Sequence, residues 1–263
     1  MLIKERLGQM LETRNLSKDF KGLRAVSNLD LTIHSQEIVG IIGPNGAGKT
    51  TTFDLITGFL QPTSGNIIFE GEDVTGRKPH MIAKSGIVRT FQMDRIFHRF
   101  TVLQNVAVAS HLFARIGFWE AVWNTSRYRK KDKDTWNHSR KILEFVGLDD
   151  KKDEIARNLS QGHQKTLGIA IALSANPKLL LLDEPLAGMT PTEVARTLEI
   201  ISEIRERGIV VLLIEHNMRA VMSICDKIVV LNFGIEIARG SPEELKQNEE
   251  VIRAYLGAGE YAA

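Results

Sequence analysis

An α/β fold with antiparallel β structure at its amino-terminal end is what this chain predicts, on three observations. Leu29, Leu31 and Ile33 alternate with polar residues, which is the period of a half-buried strand. Three short apolar runs, at residues 38–42, 179–182 and 209–214, have the length and composition of parallel strands buried on both faces. The first run breaks at Gly43 and leads into a segment that can be helical, and another helical segment separates the second run from the third. Strands alternating with helices in this way form a sheet with helices packed on it.

The helix boundaries follow from local chemistry. Thr190, Pro191 and Glu193 have the capping-box spacing with proline at the first helical position, so a helix begins there and runs to about Gly208. Ser241 and Glu244 repeat the spacing, and residues 251–256 read as a final short helix. Between about His111 and Arg157 the composition turns charged and aromatic, with Trp119, Trp123 and Trp136 among basic side chains. That stretch reads as a helical insertion, a solvated amphipathic subdomain whose tryptophans could alternatively anchor a partner. The chain as a whole, 1–263, is expected to be one domain, with about 93–176 inserted as a helical subdomain.

Composition narrows the function. With 43% hydrophobic and 25% charged residues, the chain is neither disordered nor collagenous. Its 34 basic and 32 acidic residues leave a formal charge of +2, which makes no electrostatic case for nucleic acid as the main partner. Cys225, the single cysteine, excludes an internal disulfide, and the amino terminus lacks a secretory cleavage pattern, so a cytoplasmic location is expected. The apolar runs fall far short of the roughly 20 residues that cross a bilayer, so any membrane crossing would belong to another chain.

The chemistry begins at Gly43-Pro44-Asn45-Gly46-Ala47-Gly48-Lys49-Thr50, which fits a phosphate-binding loop and lies between a buried strand and a helix. Glycines let the backbone fold around an anion so that successive N–H groups and the helix N-terminus point at it. Lys49 would reach the β- and γ-phosphates, and Thr50, with Thr51 beside it, would offer a hydroxyl to Mg²⁺. Residues 179–182 deliver Asp183 and Glu184 at the carboxyl end of a strand, where open α/β sheets bind ligands. Asp183 is the candidate for organising the metal and Glu184 for polarising the attacking water.

Those two motifs serve many nucleotide hydrolases. The segment Asn158-Leu159-Ser160-Gln161-Gly162-His163-Gln164, just before a helix running to about Ser174, resembles the signature of the ATP-binding subunits of ABC transporters. Their Leu-Ser-Gly-Gly-Gln corresponds to Leu159 through His163, with Ser160 and Gly162 kept, Gln161 at the first glycine and His163 at the final glutamine. The Ser160 hydroxyl and the helix N-terminus are expected to be available to a phosphate.

The resemblance runs over nearly the whole chain. It implies that Phe20 stacks on adenine, that Gln92 in Val88-Arg89-Thr90-Phe91-Gln92 contacts Mg²⁺ and water and senses the transmembrane partner, and that His216 contacts the γ-phosphate. Ala187-Gly188-Met189-Thr190 falls at the family's D-loop, with Thr190 replacing the usual acid or amide. The Val88–Gln92 string, the tryptophan-containing insertion and the carboxyl-terminal Val251-Ile252-Arg253-Ala254-Tyr255-Leu256-Gly257 look closest to the larger-type ATPase of branched-chain amino-acid importers, although ATPases serving urea, amides or lipid export share much of the pattern. The resemblance thus implies ATP and Mg²⁺ as ligands. The implied partners are permease subunits, a second ATPase subunit and, indirectly, an extracytoplasmic binding protein, with the chain peripheral on the inner face of the membrane. A non-transport ABC switch is disfavoured by the single phosphate loop and the lack of a long coiled coil, and a small-molecule kinase by the residue 159–163 segment with Gln92 and His216.

Overall fold

The computed structural model describes residues 8–90, 96–113 and 126–256. Its amino-terminal strands are antiparallel. β1 (Gln9–Phe20) pairs near its start with β3 (Thr32–His34), from Leu11 to Ser17 with β5 (Ser64–Phe69) and near its end with β2 (Leu23–Leu29), while β6 (Glu72–Asp73) pairs β5. The second sheet is ordered β11 (Ile235–Gly240), β10 (Lys227–Asn232), β4 (Ile38–Ile42), β9 (Val210–Ile214), β8 (Leu179–Asp183), β7 (Ile87–Arg89), and is parallel except at the β10–β11 edge. The three apolar runs of the sequence are therefore its centre, with β9 between β4 and β8.

The period-2 geometry of a strand explains why those runs are apolar throughout. Val39, Ile41, Leu179, Leu181, Val210 and Leu212 face the antiparallel strands and Phe53 and Ile56 of α1 (Lys49–Ile56). Ile38, Ile42, Leu180, Leu182, Val211 and Leu213 face the opposite way, toward α3 (Val102–Phe113), α4 (Ser126–Val146), α5 (Gln161–Leu173) and α6 (Pro191–Glu206). The remaining α-helices among the described residues are α2 (Pro79–Ser85), α7 (Met218–Ile224), α8 (Pro242–Lys246) and α9 (Glu249–Leu256).

One expected strand divides in two. The alternation through Leu29, Leu31 and Ile33 holds for burial, since all three are in the core, but β2 ends at Leu29 and β3 begins at Thr32. Thr13 spans the break: its hydroxyl donates to Leu29 O (2.8 Å) and accepts from Leu31 N–H (2.9 Å), so a side chain replaces a ladder rung where the chain changes strand. Both predicted capping boxes are present, at Thr190–Glu193 and Ser241–Glu244, and α6 stops at Glu206, two residues short of Gly208. Of the clustered tryptophans, Trp136 packs against the core formed by α3, α4 and α5, while Trp119 and Trp123 lie outside the described residues. Cys225 is buried and unpaired, and burial pushes its thiol up to about 12. Among the described residues no helix is long and apolar enough to cross a membrane.

Candidate active site

Because β4, β9 and β8 are adjacent and parallel, the loops that follow them converge at one edge of the sheet. In register, Asp183 stands beside Ile214, and Ile214 beside Ile41. The phosphate loop, the Asp183–Glu184 pair and His216 are thereby brought together from positions up to 173 residues apart in sequence.

The loop fits only as glycine allows. Gly48, the cap of α1, has φ 99°, and a Cβ there would stand 2.3 Å from Ala25 O; at Gly43 it would stand 2.1 Å from Leu231 O. The Lys49 ammonium donates to Gly43 O (2.6 Å) and Pro44 O (3.0 Å), so the lysine lies back across its own loop. No acidic residue occupies the first turn of α1, which leaves the helix N-terminus without a carboxylate of its own.

Residues 45–51 line a cleft of about 420 Å³ together with Phe20, Leu23, Arg24, Ala25, Glu184, His216 and Phe233. Phe20 is 41% exposed, with the Lys18 ammonium 5.1 Å from its ring centroid. A larger hollow of about 760 Å³ lies elsewhere, on the antiparallel sheet among Glu12, Glu70 and Asp73. Those carboxylates repel a polyphosphate, so charge rather than size selects the smaller cleft.

Glu184 is held at three polar points. Its N–H donates to Ile214 O (2.9 Å), its carbonyl accepts from the Lys165 ammonium (2.8 Å), and its carboxylate Oε1 is 2.7 Å from His216 Nε2. Its φ of 47° is a left-handed conformation costly for a residue with a side chain, stored where the chemistry is expected. Glu215, only 3% exposed, ties the two turns together: its carboxylate accepts from Leu186 N–H (2.7 Å), His216 N–H (3.0 Å) and Asn217 N–H (3.4 Å). Asp183 is engaged by Arg89, whose Nη2 lies 2.6 Å from Oδ2. Sequence reading passed over Glu215, Lys165 and Arg89, since each acts through a partner on another element. Gln92 lies outside the described residues.

Among the described residues no group of three or more His, Cys, Asp or Glu converges to hold a metal. The oxygen donors proposed for it are the Thr50 hydroxyl, which lines the cleft, and the Asp183 carboxylate, which ends β8 and does not line it. Such hard donors suit Mg²⁺, which keeps waters and completes its shell on substrate phosphates.

Ser160 and Gly162 do not line this cleft. They open α5, where Ser160 is the N-cap and its Oγ accepts from His163 N–H (3.2 Å). The hydroxyl expected to be available to a phosphate instead donates to Glu193 Oε1 (3.3 Å). The same carboxylate accepts from Thr190 N–H (2.9 Å) and Thr190 Oγ1 (3.0 Å), which hold it below the usual carboxylate range. A Cβ at Gly162 would meet that carboxylate at 2.5 Å, and one at Gly188 would meet the Gln161 amide at 2.6 Å.

The site agrees with what the chain is similar to. The family model described as ABC transporter matches residues 26–187, and one described as branched-chain amino acid ATP-binding cassette transporter matches 236–261. The high-affinity branched-chain amino acid transport ATP-binding proteins BraF of Pseudomonas aeruginosa and LivG of Escherichia coli K12 are each 41% identical over 249 residues, covering 94% of this chain and 98% of theirs. A solved ATP-binding cassette of an ABC transporter, in its ADP conformation, superposes with a TM-score of 0.84 at 31% identity, covering 95% of this chain and 99% of its own. With agreement of that extent along nearly the full length of both partners, the chain belongs to the ABC transporter family, among its ATP-binding, ATP-hydrolysing subunits.

Proposed function

We propose that this chain powers an importer of branched-chain or other hydrophobic amino acids, as a peripheral subunit on the cytoplasmic face of the membrane. The observation that carries the catalytic part is the 2.7 Å contact between Glu184 and His216 at the rim of the glycine-loop cleft. It puts a carboxylate for water beside a group for the γ-phosphate. The names of BraF and LivG and the match at 236–261 support the substrate class.

Little covalent chemistry is asked of the protein; positioning and charge do most of it. Loop N–H groups of residues 43–50, Pro44 having none, and the Lys49 ammonium hold the β- and γ-phosphates, and Lys49 exchanges its contacts with Gly43 and Pro44 carbonyls for phosphate oxygens. Phe20 stacks under the adenine on the ring face away from Lys18. Glu184 orients the water in line, and His216 offers a hydrogen bond to the γ-phosphate. Thr50, Asp183 and Gln92 would hold Mg²⁺, which when bound would offset charge on the β- and γ-oxygens.

The whole chain acts as one ATPase unit, with the helical segment at about 93–176 inserted in it. A second ATPase subunit, identical or paralogous, supplies its own Ser160 and Gly162 equivalents across the nucleotide. Transmembrane permease chains receive the work, an extracytoplasmic binding protein delivers the amino acid, and nucleic acid has no part.

Reconstitution is the test. The chain is combined in liposomes with cognate permease and second-ATPase proteins, and ATP turnover is followed as binding protein loaded with leucine is added. Stimulation by leucine, isoleucine or valine is expected. Stimulation only by urea, an amide or a lipid would overturn the substrate class while leaving the ATPase intact.

A further inference from the structure

We infer that Arg89 is a positioning residue that sets the Asp183 carboxylate for the metal of the nucleotide. The inference rests on the proposed metal role of Asp183. Arg89 closes β7, and its guanidinium joins two carboxylates: Nη2 lies 2.6 Å from Asp183 Oδ2 and Nη1 2.5 Å from Asp54 Oδ1. Its Cζ stands 5.5 Å from the Phe53 ring centroid. The arginine side chain is 10% exposed and Asp183 7%, so the pair is shielded from water on both sides.

Three features separate this from an ordinary ion pair. The first is what it connects. Asp54 lies one helical turn beyond Thr50 on α1, Asp183 ends β8, and the chain that carries Arg89 continues toward Gln92. One side chain therefore fixes the strand-end carboxylate relative to the helix that presents the Thr50 hydroxyl.

The second is orientation. Capture of Oδ2 sets the plane of the Asp183 carboxylate and hence the direction of its other oxygen, and the neighbouring Thr90 holds the Asp183 backbone, its Oγ1 accepting from Asp183 N–H (3.2 Å). Groups one step removed from a metal act this way, by orienting its ligands.

The third is charge. Two carboxylates share one guanidinium, which leaves one negative charge over in a partly buried cluster. A hydrated divalent cation answers that surplus. Both arms of the guanidinium are committed to carboxylates, so Arg89 is not placed as a phosphate ligand. The planar fork serves two carboxylates at once, which a lysine ammonium does not reproduce.

The experiment separates metal from nucleotide. In the full-length protein, ATP affinity is measured by calorimetry with EDTA present, and Mn²⁺ affinity by electron paramagnetic resonance with a non-hydrolysable ATP analogue bound. Parent, Arg89→Met, Arg89→Lys, Asp54→Asn and Asp183→Asn are compared, with thermal midpoints recorded. Arg89→Met should weaken Mn²⁺ by about tenfold, as loss of a ligand-orienting group does, with ATP affinity in EDTA unchanged. Arg89→Lys should fall between Arg89→Met and the parent. Should Arg89→Met not fold, Asp54→Asn keeps the Arg89–Asp183 pair and should shift Mn²⁺ by about two- to threefold in the same direction, a fraction of the effect of losing the orienting group outright.

Equal losses of ATP and Mn²⁺ affinity, or an unchanged Mn²⁺ affinity, would overturn the inference. Asp183→Asn tells the two failures apart. If it weakens Mn²⁺ while the Arg89 variants do not, only the positioning role falls. If Asp183→Asn also leaves Mn²⁺ unchanged, the metal role of Asp183 falls with it.

Discussion

Two helix N-termini in this protein are proposed to meet a phosphate, and their surroundings are opposite. At α1 the first turn carries no acidic residue, and the lysine that would meet the phosphate lies on its own loop carbonyls. At α5 the Glu193 carboxylate already stands at the first turn, accepting the Ser160 hydroxyl and lying so close to Gly162 that a side chain there would have to displace it. At the first end every group of the proposed phosphate cradle comes from a single chain. The other has an internal carboxylate where a second chain's γ-phosphate is proposed to bind, so closing the nucleotide sandwich means exchanging an intramolecular contact for an intermolecular one. On the proposed function, the first end governs whether nucleotide binds, and the second whether binding joins two chains.

The largest effects belong to the first end. Lys49→Ala should weaken ATP binding in calorimetry and abolish phosphate release, because it removes the cation aimed at the β- and γ-phosphates. Glu184→Gln should leave binding intact and slow hydrolysis by about a hundredfold or more, the range for loss of a positioned base. Parent-like turnover in either variant would erase the contrast between the two ends.

The next effect isolates the second end. In a Glu184→Gln background with ATP and Mg²⁺, mass in solution should rise toward a dimer, alone or with the cognate second ATPase, and Ser160→Arg should keep it monomeric without altering ATP affinity of the single chain. If dimerisation survives Ser160→Arg, the α5 terminus is not the joining surface.

A smaller shift is expected at the base. Phe20→Ala should reduce ATP affinity by about 1–3 kcal/mol, the usual worth of an aromatic platform under a base, and leave inorganic triphosphate unaffected. Equal weakening of both ligands would make Phe20 a packing residue.

The smallest effect sharpens the comparison most. Glu193→Gln keeps the capping geometry at Thr190 but removes the charge beside Ser160, so the Glu184→Gln dimer should form at several-fold lower protein concentration. An unchanged or weaker dimer in light-scattering titration would show that Glu193 only caps α6.

How legible each feature was in the sequence tracks the distance over which it is made. The phosphate loop is eight consecutive residues, its glycines and lysine act on one another, and the strand before it and the helix after it are local too. The capping boxes at Thr190 and Ser241 close within three residues and were equally plain. The residue 29–33 alternation gave the correct burial and the wrong continuity, because the break depends on a hydroxyl from Thr13, 16 residues before Leu29. Arg89 stood in a quoted string without a role, since its partners are 35 and 94 residues away.

By itself, then, the sequence determined the class of fold, the phosphate loop and the carboxylate pair at a strand end, because backbone periodicity, glycine freedom and capping are decided among near neighbours. Tertiary structure decided that β9 lies between β4 and β8, so that His216 meets Glu184. It also decided that Glu215 ties the two turns, that Arg89 takes Asp183 and that Glu193 takes Ser160. Each of these is a polar contact between side chains and loops far apart in the chain. No local pattern encodes such a contact: it exists only once burial of the two apolar clusters has fixed which strands are neighbours and left those charged groups to find partners at the sheet's edge.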